Sequence, residues 1–438
     1  MLARFTQRLP FFYGWVVVGV VFVTMALCVN ARTAFSLLFP PILQEFGWER
    51  GETAGAFSFG FIVSAVLSPW LGRLMDRHGP RVVMEIGIAA TAAGLLLATF
   101  ATQPWHIYVT LGMLVGAGTT FTGYTGQALF LPNWFVRRRG LALSIAFAGV
   151  GAGSILMLPA LQTFVERSGW RAGCTVLGVT VLVVLVPLNL LLRRRPADLG
   201  LAPDGDPDTP AATQARRVNV VDEKWAAVDW TLARALRTSR FWWVAVAYFC
   251  ALFSWYAVQV HQTKYLVETG FSAQEAAWAL GIVSLAGVPG QIALGWLSDR
   301  IGREIVWAIG NLGFCLAYAA LLALPAYPVP LLLYAMVLAQ GALGYGLTSV
   351  VGAIPAEIFE GKHYGPIFGT LMLSALAGGA FGPWFMGFVH DHTGSYSLAF
   401  VAAIGCSLLS TLAIWRAAPR HVRMVAGVAQ RRATPRSA

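Results

Sequence analysis

Gly-Arg-Leu-Met-Asp-Arg-His-Gly-Pro-Arg occupies residues 72–81, and 223 positions later residues 295–304 read Gly-Trp-Leu-Ser-Asp-Arg-Ile-Gly-Arg-Glu. Five positions carry the same residue in the two copies, and each copy lies between two long apolar segments. The offset is close to half of the 438-residue chain, so the pattern indicates two related halves. In a membrane chain, internal repetition of this kind is typical of a transporter whose site lies between the halves.

The composition of the chain is that of a membrane protein. Hydrophobic residues make up 57% and charged residues 12% of the chain, whereas soluble domains carry about 25% charged residues. Only helices or closed barrels satisfy every backbone group inside hydrocarbon, and barrel strands would alternate apolar and polar residues over about ten positions. Uncharged runs such as 15–29 and 174–192 are longer and apolar throughout, so they predict helices.

The apolar runs predict an all-α integral membrane protein with twelve transmembrane helices, at about 20 residues per span. The predicted spans are 12–40, 54–72, 81–101, 105–131, 140–163, 172–192, 241–263, 276–297, 304–324, 328–352, 365–389 and 396–416. The first six would form an N-terminal six-helix bundle within residues 1–192. The last six would form a C-terminal six-helix bundle within residues 241–416.

Two hydrophilic segments flank the second half. Residues 193–240 are predicted to form a cytoplasmic linker that ends in an amphipathic surface helix over 225–240, because Trp225 and Leu232 recur near one face. Residues 417–438 are predicted to form a basic cytoplasmic tail without apolar periodicity. We expect this tail to be disordered.

The net charge of +11 at pH 7 is distributed as in a membrane protein rather than as in a nucleic-acid-binding protein. If both termini are cytoplasmic, 26 of the 31 Lys and Arg residues lie in cytoplasmic segments or at the edges of spans. This positive-inside bias sets the orientation, and the arginine cluster 137–139 is expected to face anionic lipid. We expect a multi-pass protein of the cell (plasma) membrane that contacts lipid and binds no nucleic acid.

The repeated Gly-x-Leu-x-Asp-Arg-x-Gly phrase resembles the loop signature of the major facilitator superfamily, between spans two and three and again between spans eight and nine. Finer features resemble the monocarboxylate and oxalate/formate transporter branch: Tyr13-Gly14-Trp15 opens span one, residues 195–201 follow span six, and residues 391–396 precede span twelve. The resemblance implies the major facilitator fold. It also implies transport of small organic anions, often carboxylates, with a proton or by exchange.

The repeated loops predict two gates. Asp76 and Arg77 in the first copy match Asp299 and Arg300 in the second. Each aspartate can pair with a nearby arginine or lie at the N-terminus of a helix from the other half. Such contacts would latch the cytoplasmic face in one state and release it in another. The alternative is a tight loop that needs glycine and charge only for topology.

Arg32 is the strongest candidate for substrate contact. It lies inside span one, where an ionised side chain is costly and usually faces a cavity or a partner. No acidic residue lies clearly in the predicted membrane interior to neutralise it. A guanidinium binds a carboxylate through two parallel hydrogen bonds. The alternative is that Arg32 reaches the outer interface or bonds backbone carbonyls.

Polar residues in three further spans could line a cavity, although contacts between helices are the alternative for each of them. The candidates are Thr120, Tyr124 and Gln127 in span four, Gln259 and His261 in span seven, and Gln340 and Tyr345 in span ten. The three in span four are expected at one-turn spacings along one helix. His261 is a candidate proton carrier, because histidine titrates near neutral pH.

The pattern of the branch is incomplete in this chain. Well-known members of the branch place an arginine in span eight, often beside an aspartate, and residues 276–297 contain neither. Span eleven lacks the lysine that oxalate exchangers carry. One interior cation therefore favours a substrate with a single carboxylate. The aromatic residues Phe121, Trp255 and Trp384 favour an apolar body on that substrate.

Other kinds of chemistry find no support in the sequence. Walker, Gly-x-Ser-x-Gly and His-Glu-x-x-His motifs do not occur, so we expect no enzyme, no cofactor and no ATP-driven pump. His390-Asp391-His392 has no further ligand at suitable spacing, and we expect no metal. The five cysteines lie in or beside apolar spans and predict no disulfide framework.

The sequence thus predicts a monomeric secondary active transporter of a small organic monocarboxylate, with two bundles that rock around a midplane site by alternating access. Proton symport and exchange (antiport) both stay open. The rival within transport is an efflux carrier for amphipathic compounds, suggested by the aromatic-rich spans. The rival from another class is a membrane sensor or receptor that uses the same bundle without transport.

Overall fold

The computed structural model describes residues 11–48, 50–205 and 219–433, which are mostly helical. In the first half, span one comprises Gly14–Thr33 and Phe35–Phe46, and spans two and three lie in Arg50–Ala98. Span four is interrupted and comprises Pro104–Ile107, Tyr108–Leu114, Val115–Thr122 and Tyr124–Ala128. Spans five and six lie in Arg139–Asn189. In the second half, span seven is Ser239–Glu268, span eight is Ala273–Ile301 and span nine is Arg303–Ala323. Span ten is interrupted and comprises Pro330–Leu338, Ala339–Gly344 and Gly346–Val350. Span eleven is Tyr364–Thr393, and span twelve is Ser397–Ala417.

Nine helices among the described residues are long and apolar enough to cross a bilayer. Two of them, Gly55–Ala98 and Arg139–Asn189, are too long for one span. Each contains a glycine with non-helical backbone angles, Gly79 or Gly169, and therefore counts as two spans. The interrupted helices of residues 104–128 make the twelfth span.

The repeated glycines mark the same turns in both halves. Gly79 and Gly302 close the two copies of the repeated phrase, with φ angles of +78° and +118°. Residues with a side chain are strained at such angles, whereas glycine adopts them freely. Gly47 and Gly270 lie 223 positions apart as well, with φ angles of +65° and +101°. The repeated sequence therefore corresponds to a repeated backbone geometry.

Spans four and ten share a second irregularity. Both pass from α-helical into π-helical turns, at Tyr108–Leu114 and at Ala339–Gly344. A glycine in each π segment permits close packing: a Cβ on Gly112 would lie 2.8 Å from a carbonyl oxygen of span two, and a Cβ on Gly341 2.6 Å from one of span eight. Such π turns occur frequently at functional sites.

The described residues fold as two compact units. The first unit comprises residues 11–135 and 145–205, and the second comprises residues 136–144 and 219–433. The start of span five therefore groups with the second unit, although the remainder of that span groups with the first.

A polar clasp ties three spans of the first unit at one end. The Trp170 indole donates to Glu45 at 2.7 Å, and the Arg171 guanidinium donates to both Glu45 oxygens at 2.5 and 2.6 Å. Arg171 also donates to the backbone carbonyl of Thr99 at 2.9 Å. The hydrogen bonds from Arg171, and then that from Trp170, lower the pKa of Glu45. The clasp is therefore complete near neutral pH and is lost in acid as Glu45 takes up a proton.

The amphipathic helix predicted over residues 225–240 is wrong. The chain instead forms two short helices, Glu223–Ala226 and Leu232–Leu236, ahead of span seven. A side chain caps a new helix start at three points in this stretch, and each cap favours termination of the turn before it. The capping residues are Asp222, Thr231 and Thr238. The Trp225 indole donates to the carbonyl of Ile358 at 2.8 Å, so this side chain anchors the linker to the second unit.

The disorder predicted for the tail is wrong for residues 417–433, the part that the structure describes. An antiparallel bridge joins Arg423 to Val220 of the linker, and the helix Ala426–Ala433 follows. The buried side chains of this segment include Val422, Val425 and Ala429. Their spacing of three and four residues is a short helical period, which the surrounding basic residues conceal in the composition.

Candidate functional site

Arg32 lies between an aromatic surface and a hydroxyl group of span two. Its Nη1 is 3.4 Å from the Oγ of Ser64, and its guanidinium carbon is 3.6 Å from the centre of the Phe61 ring and 5.4 Å from that of Phe57. Attraction between a cation and an aromatic ring stabilises this position. Arg32 belongs to the last turn of Gly14–Thr33. The residue as a whole is partly exposed, although the Nη2 of its guanidinium is buried.

Ser64 connects Arg32 to span four. Its Oγ lies 2.8 Å from the carbonyl oxygen of Gly60 and 3.2 Å from that of Gly116. A hydroxyl can donate to one of these oxygens while it accepts from Arg32. The Oγ1 of Thr120 donates to the same Gly116 carbonyl at 2.8 Å. Arg32 and Thr120, which were predicted separately, therefore belong to one polar network of spans one, two and four.

Tyr124 and Gln127 lie beyond a break in the helix of span four. The prediction that one helix carries the span-four candidates at one-turn spacings is wrong, because the helix breaks at Gly123, where ψ is −158°. Tyr124 packs edge-on against Phe147 with 5.0 Å between ring centres. Gln127 is fully buried and donates to the carbonyl of Thr122 at 2.8 Å. Gln127 therefore stabilises the break instead of lining an open surface.

In the second unit, an aromatic cluster surrounds the residue at the position equivalent to Arg32. The residues 223 positions after Arg32, Phe61 and Ser64 are Trp255, Ser284 and Gly287. Trp255 packs edge-on against Tyr345 with 4.8 Å between ring centres and donates its indole N–H to Gln259. Tyr345 covers Gly287, where a Cβ would lie 2.8 Å from the ring. Gln259 and Tyr345 therefore meet around Trp255.

His261 and Gln340 occupy different surroundings. The Nε2 of His261 lies 3.1 Å from the carbonyl oxygen of Pro383 in span eleven, and the ring lies 5.6 Å from that of Tyr396. Because a carbonyl only accepts, Nε2 carries the hydrogen in this contact. Gln340 lies in the π segment of span ten and is 3% exposed. Its Oε1 is buried and has no hydrogen-bond partner among the described residues, so it is available to a donor.

Asp299, from the second copy of the repeated phrase, caps the start of span five. Its two carboxylate oxygens accept hydrogen bonds from the backbone N–H groups of Gly140 and Leu141, at 2.9 and 3.0 Å. Both N–H groups belong to the first turn of Arg139–Asn189, where free donors and the helix dipole stabilise an anion. These contacts lie within the second unit and account for the grouping of residues 136–144 with it.

Asp299 also belongs to a buried charge cluster that sequence reasoning missed. Arg303 lies 2.7 Å from an oxygen of Asp299 and 2.8 Å from one of Glu357, and its side chain is 2% exposed. Arg303 matches Pro80 in the first copy of the phrase, so comparison of the two copies does not reveal it. The available signal was Glu357 at the end of an apolar span, because a charge in that position needs a partner.

The first copy of the phrase is arranged differently. Asp76 pairs with Arg194, which lies 3.4 Å from a carboxylate oxygen and donates to the Asp76 backbone carbonyl at 2.6 Å. The two side chains are 25% and 32% exposed, for Asp76 and Arg194 respectively. Arg77 and Arg300 are both exposed, and Arg300 lies over a tryptophan ring at 3.7 Å. The two repeated aspartates therefore have different roles. Asp299 is a buried helix cap, and Asp76 forms a partly exposed ion pair.

The family follows from a match along almost the whole chain. The family model described as Major Facilitator Superfamily matches residues 21–272 and 244–437. The chain belongs to the Major Facilitator Superfamily. It is a multi-pass membrane transporter and not an enzyme. The predicted all-α membrane fold of this superfamily is confirmed.

Curated relatives and solved structures agree with this assignment. The chain is 29% identical over 399 residues to monocarboxylate transporter 13 of Bos taurus, covering 91% of this chain and 87% of that one. It is 29% identical over 424 residues to monocarboxylate transporter 11 of Mus musculus, covering 93% and 88%. The predicted resemblance to monocarboxylate transporters is thereby confirmed.

Two solved transporters share the fold. The E. coli fucose:proton symporter FucP superposes with a TM-score of 0.68 at 17% identity, over 92% of this chain and 98% of that one. The proton:xylose symporter XylE superposes with a TM-score of 0.69 at 14% identity, over 92% and 95%. At these identities the likeness concerns the fold.

The unequal aspartates generate a prediction. Asp299→Asn should lower the free energy of unfolding by about 3–5 kcal/mol, because it removes the charge from a buried pair. Asp76→Asn, at the equivalent position, should cost about 1 kcal/mol or less, since its pair is partly exposed to solvent. Thermal and denaturant unfolding of both variants in detergent measures the difference. Equal losses of stability would contradict the assignment of the buried cap to Asp299 alone.

Proposed function

We propose that this secondary transporter carries a small organic monocarboxylate and that Arg32 anchors the carboxylate. The observation that supports the proposal is the position of Arg32 inside the membrane, against Phe61 and Ser64 and partly exposed. The names of the relatives point to the same substrate class. We further propose a monomer in the plasma membrane with both termini in the cytoplasm.

The chemistry around Arg32 suits one carboxylate. A guanidinium presents parallel N–H donors that match the two oxygens of a carboxylate. The Ser64 hydroxyl beside it can donate a hydrogen bond to the substrate if its proton turns away from the carbonyls of Gly60 and Gly116. The Phe57 and Phe61 rings would hold an apolar substrate body next to the charge. Arg303, by contrast, already binds the carboxylates of Asp299 and Glu357 and is closed to a substrate.

The cap at Asp299 would act as the gate of an alternating-access cycle. Its two hydrogen bonds hold residues 136–144 in the second unit, and their release would free the start of span five. Arg77 and Arg300 would contribute surface charge to the same loops, and Asp76 would hold Arg194. The remaining polar candidates would shape the substrate path. They are Thr120, Tyr124, Gln259, Gln340 and Tyr345, whereas Gln127 would support the break at Gly123.

A second candidate function is efflux of amphipathic compounds. The cluster of Trp255, Tyr345 and Phe314 favours it, because stacked aromatic rings accept large apolar bodies. Flux direction in proteoliposomes distinguishes efflux from uptake. A sensor on the same fold would bind the ligand without any flux.

Arg32→Gln tests the anchor. In proteoliposomes, counterflow of labelled lactate should fall at least about tenfold, because a bidentate charged contact contributes more than about 1.4 kcal/mol. Arg73→Gln, an exposed arginine on the first repeated loop, is the matched control and should retain wild-type counterflow. Arg32→Lys should recover part of the activity, since a lysine keeps the charge but not the fork. Undiminished counterflow by Arg32→Gln would overturn the anchor.

His261 is proposed as the proton carrier, and His261→Gln tests it. Glutamine can still donate to the Pro383 carbonyl but cannot take up a proton. An imposed pH gradient should drive lactate accumulation by the wild type and not by the variant, while lactate counterflow continues in both. Accumulation by His261→Gln at the wild-type level would reject His261 as the carrier.

A further inference from the structure

Spans seven and twelve pack along a close antiparallel seam within the second unit. The Oγ of Ser254 donates to the Ala403 carbonyl at 2.7 Å, and the Oγ of Ser410 donates to the Ala247 carbonyl at 2.8 Å. Both serines are fully buried. Bonds from a short side chain to the facing backbone require the two helices to lie in direct contact, as small residues permit.

The two hydrogen bonds fix the register of the seam. Along span seven the contact positions are Ala247 and Ser254, and along span twelve they are Ser410 and Ala403. Because the helices run in opposite directions, the midpoint of one pair of positions faces the midpoint of the other. The residues next to these midpoints are Cys250 and Ala251 on span seven and Cys406 and Ser407 on span twelve.

Cys250 and Cys406 therefore face each other across the seam. Each cysteine directly precedes the midpoint on its own helix, which turns both side chains to the same side of an antiparallel pair. The register set by the two serine hydrogen bonds places the two thiols next to each other across the seam. Both are free thiols, Cys250 buried and Cys406 partly exposed. A disulfide requires Cα atoms about 4.4–6.8 Å apart, a separation that only helices in direct contact provide.

We propose that Cys250 and Cys406 form a redox-active thiol pair that closes to a disulfide and links span seven to span twelve. Closure breaks two S–H bonds and forms one S–S bond. The two electrons pass to an oxidant of the one-electron metal class, such as two copper(II) ions that become copper(I), and the two protons pass to solvent. A thiol reductant reverses the step by exchange.

The location of the pair determines which reagents reach it. Cys250 lies eleven residues into Ser239–Glu268, about 16 Å along the helix at 1.5 Å per residue. Thiols in apolar surroundings stay protonated and react slowly with aqueous oxidants. Reagents that partition into the bilayer are therefore the ones that oxidise or bridge this pair, and the partly exposed Cys406 is the first to be attacked.

The test uses the full-length protein in proteoliposomes, oxidised with copper(II)-phenanthroline and then alkylated and digested for mass spectrometry. A peptide pair linked through Cys250 and Cys406 is expected in the wild type and in Cys315→Ser, and it should disappear after dithiothreitol. Cys315 is the matched control, because its Sγ lies 4.0 Å from the Ile404 carbonyl on span twelve. Separate alkylation of Cys250 and Cys406, or a link from Cys406 to Cys315, would overturn the proposal.

A second measurement needs no oxidant. Phenylarsine oxide bridges two adjacent thiols with release of one water molecule, and it enters bilayers. One arsenic atom per chain, removable by ethanedithiol, is expected by intact mass in the wild type and in Cys315→Ser. None is expected in Cys250→Ser or Cys406→Ser, and their unfolding midpoints report whether they are folded. Bound arsenic in folded Cys250→Ser, or none in the wild type, would refute the pair.

Discussion

Hydrocarbon offers the backbone no hydrogen bonds, so every departure from a straight helix in this protein has to be satisfied from within. The π segments of spans four and ten are such departures, and glycines bring a neighbouring backbone against each of them. The hydroxyls of Ser64, in span two, and of Thr120, in span four, lie against one backbone carbonyl, that of Gly116, in the α-helical turn that follows the π segment. The Ser64 hydroxyl also accepts a hydrogen bond from Arg32. The irregular backbone and the candidate site are thus parts of one arrangement.

Two arginines, Arg303 and Arg32, are stabilised in different ways. Arg303 is buried and faces two carboxylates, one of which also caps a helix. Such a cluster suits a latch, because removing any member leaves a buried charge that is costly to hold. Arg32 instead rests on aromatic rings and a serine hydroxyl and keeps part of its surface exposed. A partly exposed arginine of that kind suits a transient anionic partner.

The two halves share their backbone architecture, whereas the candidate site depends on residues that differ between them. The glycine turns and the π segments recur in both halves. At the position equivalent to Arg32, the second half has Trp255, packed against Tyr345. One half therefore presents a cation and the other an aromatic and amide surface. This difference is the basis for proposing a substrate with one carboxylate and an apolar body.

The sequence predicted the features that depend on periodicity and repetition. Apolar length indicated the twelve spans, and the repeated phrase located Asp299 and the turns at Gly79 and Gly302. Features that depend on tertiary contacts could not be predicted from the sequence. The break at Gly123 turned Gln127 into a buried support, because a single glycine in an apolar run does not reveal whether the helix continues.

Two further misses have similar causes. Arg303 has no counterpart in the first copy of the phrase, so comparison of the two copies does not reveal the buried cluster around it. The tail looked disordered because basic residues outnumber its few apolar ones. Those few are nevertheless buried, and a backbone bridge to the linker holds the segment.

The central claim is that one cation selects one carboxylate, and substrate exchange tests it most directly. Proteoliposomes loaded in turn with unlabelled lactate, lactamide or malonate would be offered labelled lactate outside. Lactate inside should support rapid exchange, malonate much slower exchange, and lactamide none above empty vesicles, because an amide cannot form the charged pair with Arg32. Exchange against lactamide as fast as against lactate would contradict the account.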